Sequence, residues 1–222
     1  MTDGPLTLSL DRTAHPEGLR VLAIGAHADD IEIGCGGTIL RLASEGMLSS
    51  VRWVVLSATG ERAMEARAGA AAFLAGVERV EVLVGDFRDG FFPYLGGAVK
   101  DFFEEHRDDF EPDLILTHRR DDLHQDHRLA GELTWNTYRR HLILEYEVAK
   151  YDGDLTTPNL YVELPEATCE RKIELLSATF RSQASRTWFD PATFRALLRL
   201  RGMESGASTR FAEGFTSRKA VI

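Results

Sequence analysis

Short apolar runs alternate with helix-favouring segments along this chain of 222 residues, and that alternation limits the possible folds more than any other feature. Strands that alternate with helices indicate βαβ units and a mostly parallel sheet. Because both faces of such a sheet are buried, we predict a single α/β domain over residues 1–222 with helices on both faces. The predicted strands of this part of the chain cover residues 21–25, 51–57, 80–84 and 112–118, and the predicted helices cover residues 36–45, 61–74 and 100–106, with a further helix ending near residue 138.

The pattern becomes mixed after residue 141. Residues 143–148 and 160–164 have the composition of strands, and residues 166–179 and 191–201 have that of helices. We expect this C-terminal section to close over the edge of the sheet that carries the active site. Near the other end of the chain, the alternation of Leu6, Leu8 and Leu10 fits a short strand.

Composition excludes several classes of partner. A formal net charge of -9 argues against binding to a nucleic-acid backbone, which requires a basic face. Two cysteines far apart in sequence make a disulfide framework improbable and favour a reducing cytoplasm. The first 20 residues contain no apolar signal region, and no run approaches the roughly 18 apolar residues that span a bilayer. We therefore expect a soluble cytoplasmic protein with a small-molecule partner.

Polar side chains follow the first predicted strand directly. His27, Asp29, Asp30 and Glu32 come immediately after the apolar run of residues 21–25. Open α/β sheets build their sites at the carboxyl ends of their strands, where such residues lie. Nitrogen- and oxygen-donor side chains crowded at this point are hard to explain by packing, so we interpret them as half of a metal site.

A second polar cluster follows the predicted strand at residues 112–118, and in a parallel sheet it emerges at the same edge as His27. Its histidines, His124 and His127, are three residues apart and therefore lie on one side of a helical turn. A metal with three protein ligands and one open position could take His27, Asp30 and one of these two histidines. Two histidines and one carboxylate suit a catalytic zinc ion or a non-haem iron centre.

The same clusters have simpler interpretations than a metal site. Adjacent aspartates are usually solvated or cap a helix, but two clusters at two strand ends of one sheet together favour the metal. His118 is an alternative ligand because it lies at the end of a strand. We favour the later histidines because a carboxylate, Asp126, lies between them. Asp126 is our candidate for the group that orients a metal-binding imidazole.

The glycine-rich segment after the first cluster has two interpretations. Gly34, Gly36 and Gly37 could cradle a pyrophosphate, as glycine-rich turns before helices do. Here acidic residues intervene between the strand and the glycines, and they would repel a phosphate. We therefore favour tight packing between helix and sheet, with Cys35 as a small buried residue.

Taken together, the two motifs resemble those of the PIG-L/LmbE-like family of N-acetylglucosamine deacetylases. The resemblance rests on His27-Ala28-Asp29-Asp30-x-Glu32 followed by Gly34-Cys35-Gly36-Gly37-Thr38, and on His124-Gln125-Asp126-His127. It implies a Rossmann-like fold that carries one divalent metal, usually Zn²⁺, with Fe²⁺ as the alternative. The roles that the family pattern implies are metal binding by His27, Asp30 and His127, general base catalysis by Asp29, contact with the substrate carbonyl by His124, and substrate binding by Arg62.

One residue departs from the family pattern in the first motif. Ala28 stands where the family usually has proline, which would stiffen the turn that directs the ligands. The change removes no ligand, so we do not infer lost activity from it. The resemblance also implies a homo-oligomer, either a trimer or a hexamer.

The expected reaction is hydrolysis of the N-acetyl group of an N-acetylglucosamine-type sugar or glycoside, giving acetate and a free amine. Two alternatives remain open from the sequence. One is a metal-dependent amidase that acts on a different amide or on a thiol conjugate. The other is a non-catalytic module that binds a sugar or a nucleotide at the same edge of the sheet.

Overall fold

The computed structural model describes residues 15–220, and these residues form one seven-stranded sheet with six helices. The strand predicted around Leu6, Leu8 and Leu10 lies outside the described residues. Along the chain the elements are β1 (Leu19–His27), α1 (Asp30–Ser44), β2 (Leu48–Ser57), α2 (Gly60–Phe73), β3 (Val80–Val84), α3 (Gly96–Glu105), β4 (Leu114–His118), α4 (Gln125–Thr137), β5 (Leu142–Tyr146), β6 (Leu160–Glu163), α5 (Glu166–Thr179), α6 (Pro191–Glu204) and β7 (Ala212–Ser217).

The strands are ordered β3-β2-β1-β4-β5-β7-β6. The first five of these are parallel to one another, and β7 runs antiparallel to both β5 and β6. The prediction of a mostly parallel sheet is therefore confirmed. Sequence analysis missed β7 because its six residues include a glycine and lack the β-branched run that marks a strand.

Helices cover both faces of the sheet, as predicted. Successive residues of β1 point to opposite faces, so Ala23 and Ile24 belong to different hydrophobic clusters. The cluster on the Ala23 face also contains residues of α1, α2 and α5, namely Ile31, Ile39, Phe73 and Leu176. The cluster on the Ile24 face contains residues of α3 and α4, namely Val99, Phe103, Ala130 and Leu133. The two clusters together enclose most of β1 and β2 and all of β4.

The helix after β1 begins earlier than the sequence predicts. The sequence pattern places its start near residue 36, but α1 begins at Asp30. Asp30 and Glu32 therefore lie in its first turn, where the helix dipole favours negative charge. Glycine is a poor helix former, so Gly34, Gly36 and Gly37 concealed the true start.

The C-terminal section adds strands β6 and β7 to the sheet and reaches the edge at which β1 and β4 end. A single 3₁₀ turn, Arg181–Gln183, connects α5 to the segment before α6. In this turn the Ser182 hydroxyl accepts a hydrogen bond from Arg62 at 3.3 Å. The described helices include none that is both long enough and apolar enough to cross a bilayer.

The glycines of α1 serve close packing, which confirms the packing interpretation. A Cβ atom at Gly34 would lie 2.1 Å from the Tyr146 ring, and one at Gly36 would lie 2.5 Å from Phe73. A Cβ atom at Gly37 would lie 2.5 Å from the Leu164 side chain. Cys35 is fully buried, and burial raises the pKa of its thiol well above the ordinary value, as expected for a packing residue.

We expect Gly34→Ala to destabilise the protein by about 1–3 kcal/mol, the usual cost of overpacking a core. The Tyr146 ring cannot move aside freely, because its hydroxyl donates a hydrogen bond of 2.7 Å to the Ile24 carbonyl. Gly97→Ala is the matched control, since a Cβ atom added at this helical glycine would meet no atom of the described residues within 4 Å. Urea unfolding measures both variants, and equal free energies of unfolding for the two would contradict the packing account.

Candidate active site

The ends of β1 and β4 bring the two predicted polar clusters together. The two strands are adjacent and parallel, and they end at His27 and His118. The loop after β4 leads into α4, which begins at Gln125 with His124 as its N-cap residue. Both motifs therefore emerge at one edge of the sheet, as the sequence predicted.

Asp30 lies at the centre of this cluster and contacts three histidines. Its carboxylate oxygens lie 3.3 Å from His27 Nδ1, 3.2 Å from His118 Nε2 and 3.4 Å from His127 Nε2. One of these oxygens also accepts the His27 backbone N–H at 2.7 Å. Asp30 thus contacts both of the other predicted ligands, His27 and His127, but none of the donor groups close enough to share an ion among the described residues contains all three.

Burial and charge give these groups distinct protonation states. Burial alone would raise the pKa of Asp30, but His127, His118 and His27 hold that pKa well below its ordinary value. Burial lowers the pKa of His127 to about 4, so its imidazole is neutral. An ionised carboxylate beside a neutral imidazole is the combination that metal binding requires.

The second ring nitrogen of His27 faces two more carboxylates. His27 Nε2 lies 3.0 Å from Asp89 and 3.2 Å from Asp126. Asp126 also accepts the backbone N–H groups of Gly90 and Phe92, at 2.6 and 3.0 Å. Asp126 therefore joins the loop after β3 to His27. The hydrogen bonds of these carboxylates raise the pKa of His27 well above its ordinary value, although burial acts in the opposite direction.

A carboxylate that the sequence analysis did not select orients the other histidine. Asp122 Oδ2 lies 3.2 Å from His127 Nδ1, and both side chains are buried. The sequence favours Asp126 for such a role because of its place between the two histidines. In the structure the Asp126 carboxylate contacts His27 Nε2, and the Asp122 carboxylate contacts His127 Nδ1. Asp122 belongs to the same polar run, which was the available signal.

His124 completes the set of rings at this edge. Its ring centroid lies 5.1 Å from that of His27 and 4.5 Å from that of His127. Its Nδ1 accepts the backbone N–H of Asp126 at 3.3 Å, an N-cap bond that leaves Nε2 to carry the proton. Among the described residues, the donor groups close enough to share an ion are His27–His124–His127, Asp30–His118–His127 and His27–Asp89–Asp126.

Asp29 is buried beside this cluster in an unusual backbone conformation. Its φ of 97° lies in the left-handed region, which costs energy for a residue other than glycine. Asp29 Oδ1 accepts a hydrogen bond from Arg62 at 3.0 Å, while Asp29 Oδ2 is buried without a hydrogen-bond partner among residues 15–220. Burial raises the pKa of Asp29 to about 7, although the charge of Arg62 opposes the shift.

Arg62 also supports the turn that contains Ala28, the residue that stands where the family pattern usually has proline. Its guanidinium donates to the Ala28 carbonyl and pairs with Glu65 at 3.2 Å. Glu65 in turn accepts the Ser182 backbone N–H at 2.8 Å. Hydrogen bonding from α2 thus fixes the carbonyl group of Ala28, in the turn that a proline would stiffen. About a quarter of the Arg62 side chain remains exposed at the edge of the site.

The donor set fits a divalent metal. Imidazole nitrogens and a carboxylate are the ligands that zinc and non-haem iron take in catalytic centres. The Asp29 oxygen that lacks a partner among the described residues belongs to the residue before Asp30, and the charges of Asp30 and His27 both act on Asp29. The fold and the site together define a Rossmann-like α/β protein with a histidine–aspartate cluster at the carboxyl edge of its sheet.

Comparison with known families assigns the chain more narrowly. The family model described as PIG-L: GlcNAc-PI de-N-acetylase matches residues 22–138, which is more than half of the chain. The matched segment runs from β1 to the end of α4 and contains both motifs. The chain belongs to this family of deacetylases, and the resemblance that the motifs indicated is confirmed.

Individual relatives share a short segment of sequence or the fold. A segment of 27 residues is 63% identical to the uncharacterized deacetylase YaiS of Escherichia coli K12, covering 12% of this chain and 15% of that protein. The solved structure of the N,N'-diacetylchitobiose deacetylase of Pyrococcus horikoshii has a TM-score of 0.69 at 23% identity, covering 91% of this chain and 84% of the other. The 4-carboxy-2-hydroxymuconate hydratase GalB of Pseudomonas putida KT2440 has a TM-score of 0.67 at 17% identity, covering 92% and 98%. At such identities the structural likeness establishes the fold alone.

Proposed function

We propose that this protein is a metal-dependent hydrolase that removes the N-acetyl group from an N-acetylglucosamine-type sugar or glycoside, releasing acetate and a free amine. The observation that carries the proposal is the convergence of His27, His118 and His127 on the Asp30 carboxylate, with a partner-free carboxylate oxygen on the preceding residue among those described. Membership of the deacetylase family supports the reaction class. The chitobiose deacetylase of the same fold supports an acetylated sugar as substrate.

His27, Asp30 and His127 are the residues that we propose would hold the metal. His118 is less suitable, because its Nε2 already accepts the Ala26 backbone N–H at 2.9 Å. We propose Zn²⁺ as the native ion, with Fe²⁺ as the alternative that the same donors accept. Such an ion lowers the pKa of water and polarises an amide carbonyl.

Asp29 is the proposed general base. Arg62 holds one oxygen of its carboxylate, and the other oxygen has no partner within residues 15–220 and can accept a proton from the attacking water. The hydroxide adds to the acyl carbon, the bond from carbon to nitrogen breaks, and Asp29 returns the proton to the departing amine. Acetic acid and the amine leave, the acid gives up its proton to the solvent to become acetate, and Asp29 is again ionised.

His124 and Arg62 have proposed roles in substrate binding and stabilisation. The N-cap bond to His124 Nδ1 leaves Nε2–H free to donate to the oxyanion that forms at the acyl carbon, a contact typically worth a few kcal/mol. The exposed part of Arg62 is available to a sugar hydroxyl or to an anionic group of the substrate.

Acetate release tests the proposal directly. The zinc-loaded protein is incubated with N-acetylglucosamine, N,N'-diacetylchitobiose and larger N-acetylglucosamine glycosides, with N-acetylated amino acids as the competing amide class. We expect acetate from at least one sugar, loss of release after treatment with EDTA, and recovery when Zn²⁺ is added back. Acetate from the amino acids alone would favour the other amidase. Sugar binding that persists in EDTA, with no acetate from any compound, would indicate a binding module and contradict the proposal.

Two further expectations remain predictions. We expect a cytoplasmic protein from the low cysteine content, and we expect a trimer or hexamer from the family resemblance. Light scattering on the purified protein measures the second, and a monomeric mass would contradict it.

A further inference from the structure

A buried cluster of ion pairs lies next to His127. It contacts Nδ1, the ring nitrogen that does not face Asp30. It consists of Asp122 in the loop after β4, together with Lys150 and Asp154 in the loop after β5. The side chains of all three are at most 10% exposed. Neither motif of the sequence contains any of them.

The hydrogen bonds of Asp122 determine which nitrogen of His127 carries the proton. One oxygen of Asp122 lies 3.2 Å from His127 Nδ1. Its other oxygen accepts the His124 backbone N–H at 2.8 Å and lies 3.0 Å from Lys150 Nζ. A carboxylate in contact with Nδ1 requires Nδ1 to donate, so the lone pair of the neutral ring is on Nε2. Nε2 is the nitrogen that lies 3.4 Å from Asp30.

Lys150 and Asp154 hold Asp122 in place. Lys150 Nζ lies between the two carboxylates, 3.0 Å from Asp122 and 2.5 Å from Asp154. Asp154 accepts the Leu123 backbone N–H at 2.9 Å, and its own carbonyl accepts a hydrogen bond from Arg119 at 2.9 Å. Residues on both sides of Asp122 are therefore tied to the loop after β5. A buried group of this kind costs desolvation energy, so a positional role explains it better than stability does.

We propose that Asp122 is a positioning residue that fixes His127 in the Nδ1–H tautomer and so directs Nε2 toward the metal. Lys150 and Asp154 hold the Asp122 carboxylate in its place. This inference rests on the proposed role of His127 as a metal ligand. It adds that Lys150 and Asp154, in the loop after β5, help to orient this ligand through Asp122. Carboxylates of this kind typically raise metal affinity by 10- to 100-fold.

Asp122→Asn tests the proposal through metal affinity alone. The groups that contact the Asp122 carboxylate are all donors, so the NH₂ group of an asparagine would face a donor in either orientation. We expect the dissociation constant for Zn²⁺, measured by competition with a chromogenic chelator, to rise by about 10- to 100-fold. Asp121→Asn is the matched control, because this neighbouring carboxylate is exposed and pairs with Arg119 instead of His127. Equal affinity in the two variants would overturn the proposal.

A second measurement uses the unmodified protein and does not depend on whether the variant folds. Nitrogen-15 NMR of the imidazole nitrogens in the metal-free protein distinguishes the two tautomers of His127. We expect Nδ1–H, and a predominant Nε2–H form would overturn the proposal. These readouts do not require turnover. A zinc-loaded protein that releases no acetate would therefore contradict the proposed function while leaving the role of Asp122 to be decided by affinity and tautomer.

Discussion

Asp29→Asn is expected to lower kcat by about 10²- to 10⁴-fold while leaving metal binding intact, because an amide cannot accept the proton of the attacking water. The variant should keep the native backbone, since asparagine tolerates the left-handed conformation that Asp29 adopts at φ 97°. It should also keep the hydrogen bond from Arg62, because an amide oxygen can accept it. The loss is therefore expected in the chemical step and not in folding.

The measurement pairs kcat with metal content for the variant and a matched control. Asp101→Asn makes the same chemical change on the exposed surface of α3 and should retain full activity. Elemental analysis should find the same amount of metal in both proteins. Wild-type turnover by a fully metallated Asp29→Asn protein would show that another group is the base.

His127→Ala is expected to have an equally large effect by a different route, the loss of the metal itself. His127 is the proposed ligand from the second motif, and its imidazole lies 3.4 Å from the Asp30 carboxylate. Without it, only His27 and Asp30 of the proposed ligand set remain. We expect the variant to lose its metal on dialysis and to release no acetate.

His106→Ala serves as the control for this prediction. His106 packs against Phe102, away from the cluster, and should be dispensable for metal binding. A fully metallated His127→Ala protein would transfer the ligand role to His124 or His118. His118 Nε2 lies 3.2 Å from Asp30, and the ring centroid of His124 lies 5.1 Å from that of His27, so both lie close to the remaining ligands.

The sequence was sufficient to predict the parallel half of the fold and to place the two polar clusters at one edge of the sheet. Strands β1, β2 and β4 are nearly continuous apolar runs, because both of their faces are buried. The polar residues follow β1 and β4 directly, so the strand ends alone bring His27 and His127 to one edge. Periodicity and position carry this information, and both are local properties of the chain.

Contacts from distant segments could not be predicted in the same way. Asp89 belongs to neither of the two motifs, and only the folded chain brings it within 3.0 Å of His27. Lys150 reaches Asp122 because β5 lies next to β4, which the sequence does not encode locally. Charged side chains in loops are common, and nothing in their spacing distinguishes these two from solvated ones.

Glu213 illustrates the same limit in the fold. Its carboxylate accepts the backbone N–H groups of Gly37 and Thr38, at 2.8 and 2.7 Å, and pairs with Lys172 at 2.7 Å. Lys172 also donates to the Ile33 carbonyl at 2.6 Å. A residue 175 positions away thus supports the glycine-rich part of α1. This contact depends on β7, the strand that sequence analysis missed.

The central claim is that one ion is shared by two loops, and locating the ion tests it most directly. Crystals of the zinc-loaded protein, measured on both sides of the zinc absorption edge, would show the position of the metal in an anomalous difference map. We predict one ion per chain, about 2.0–2.2 Å from a nitrogen of His27, a nitrogen of His127 and an oxygen of Asp30. An ion bound elsewhere, or held by only one of the two loops, would contradict the account.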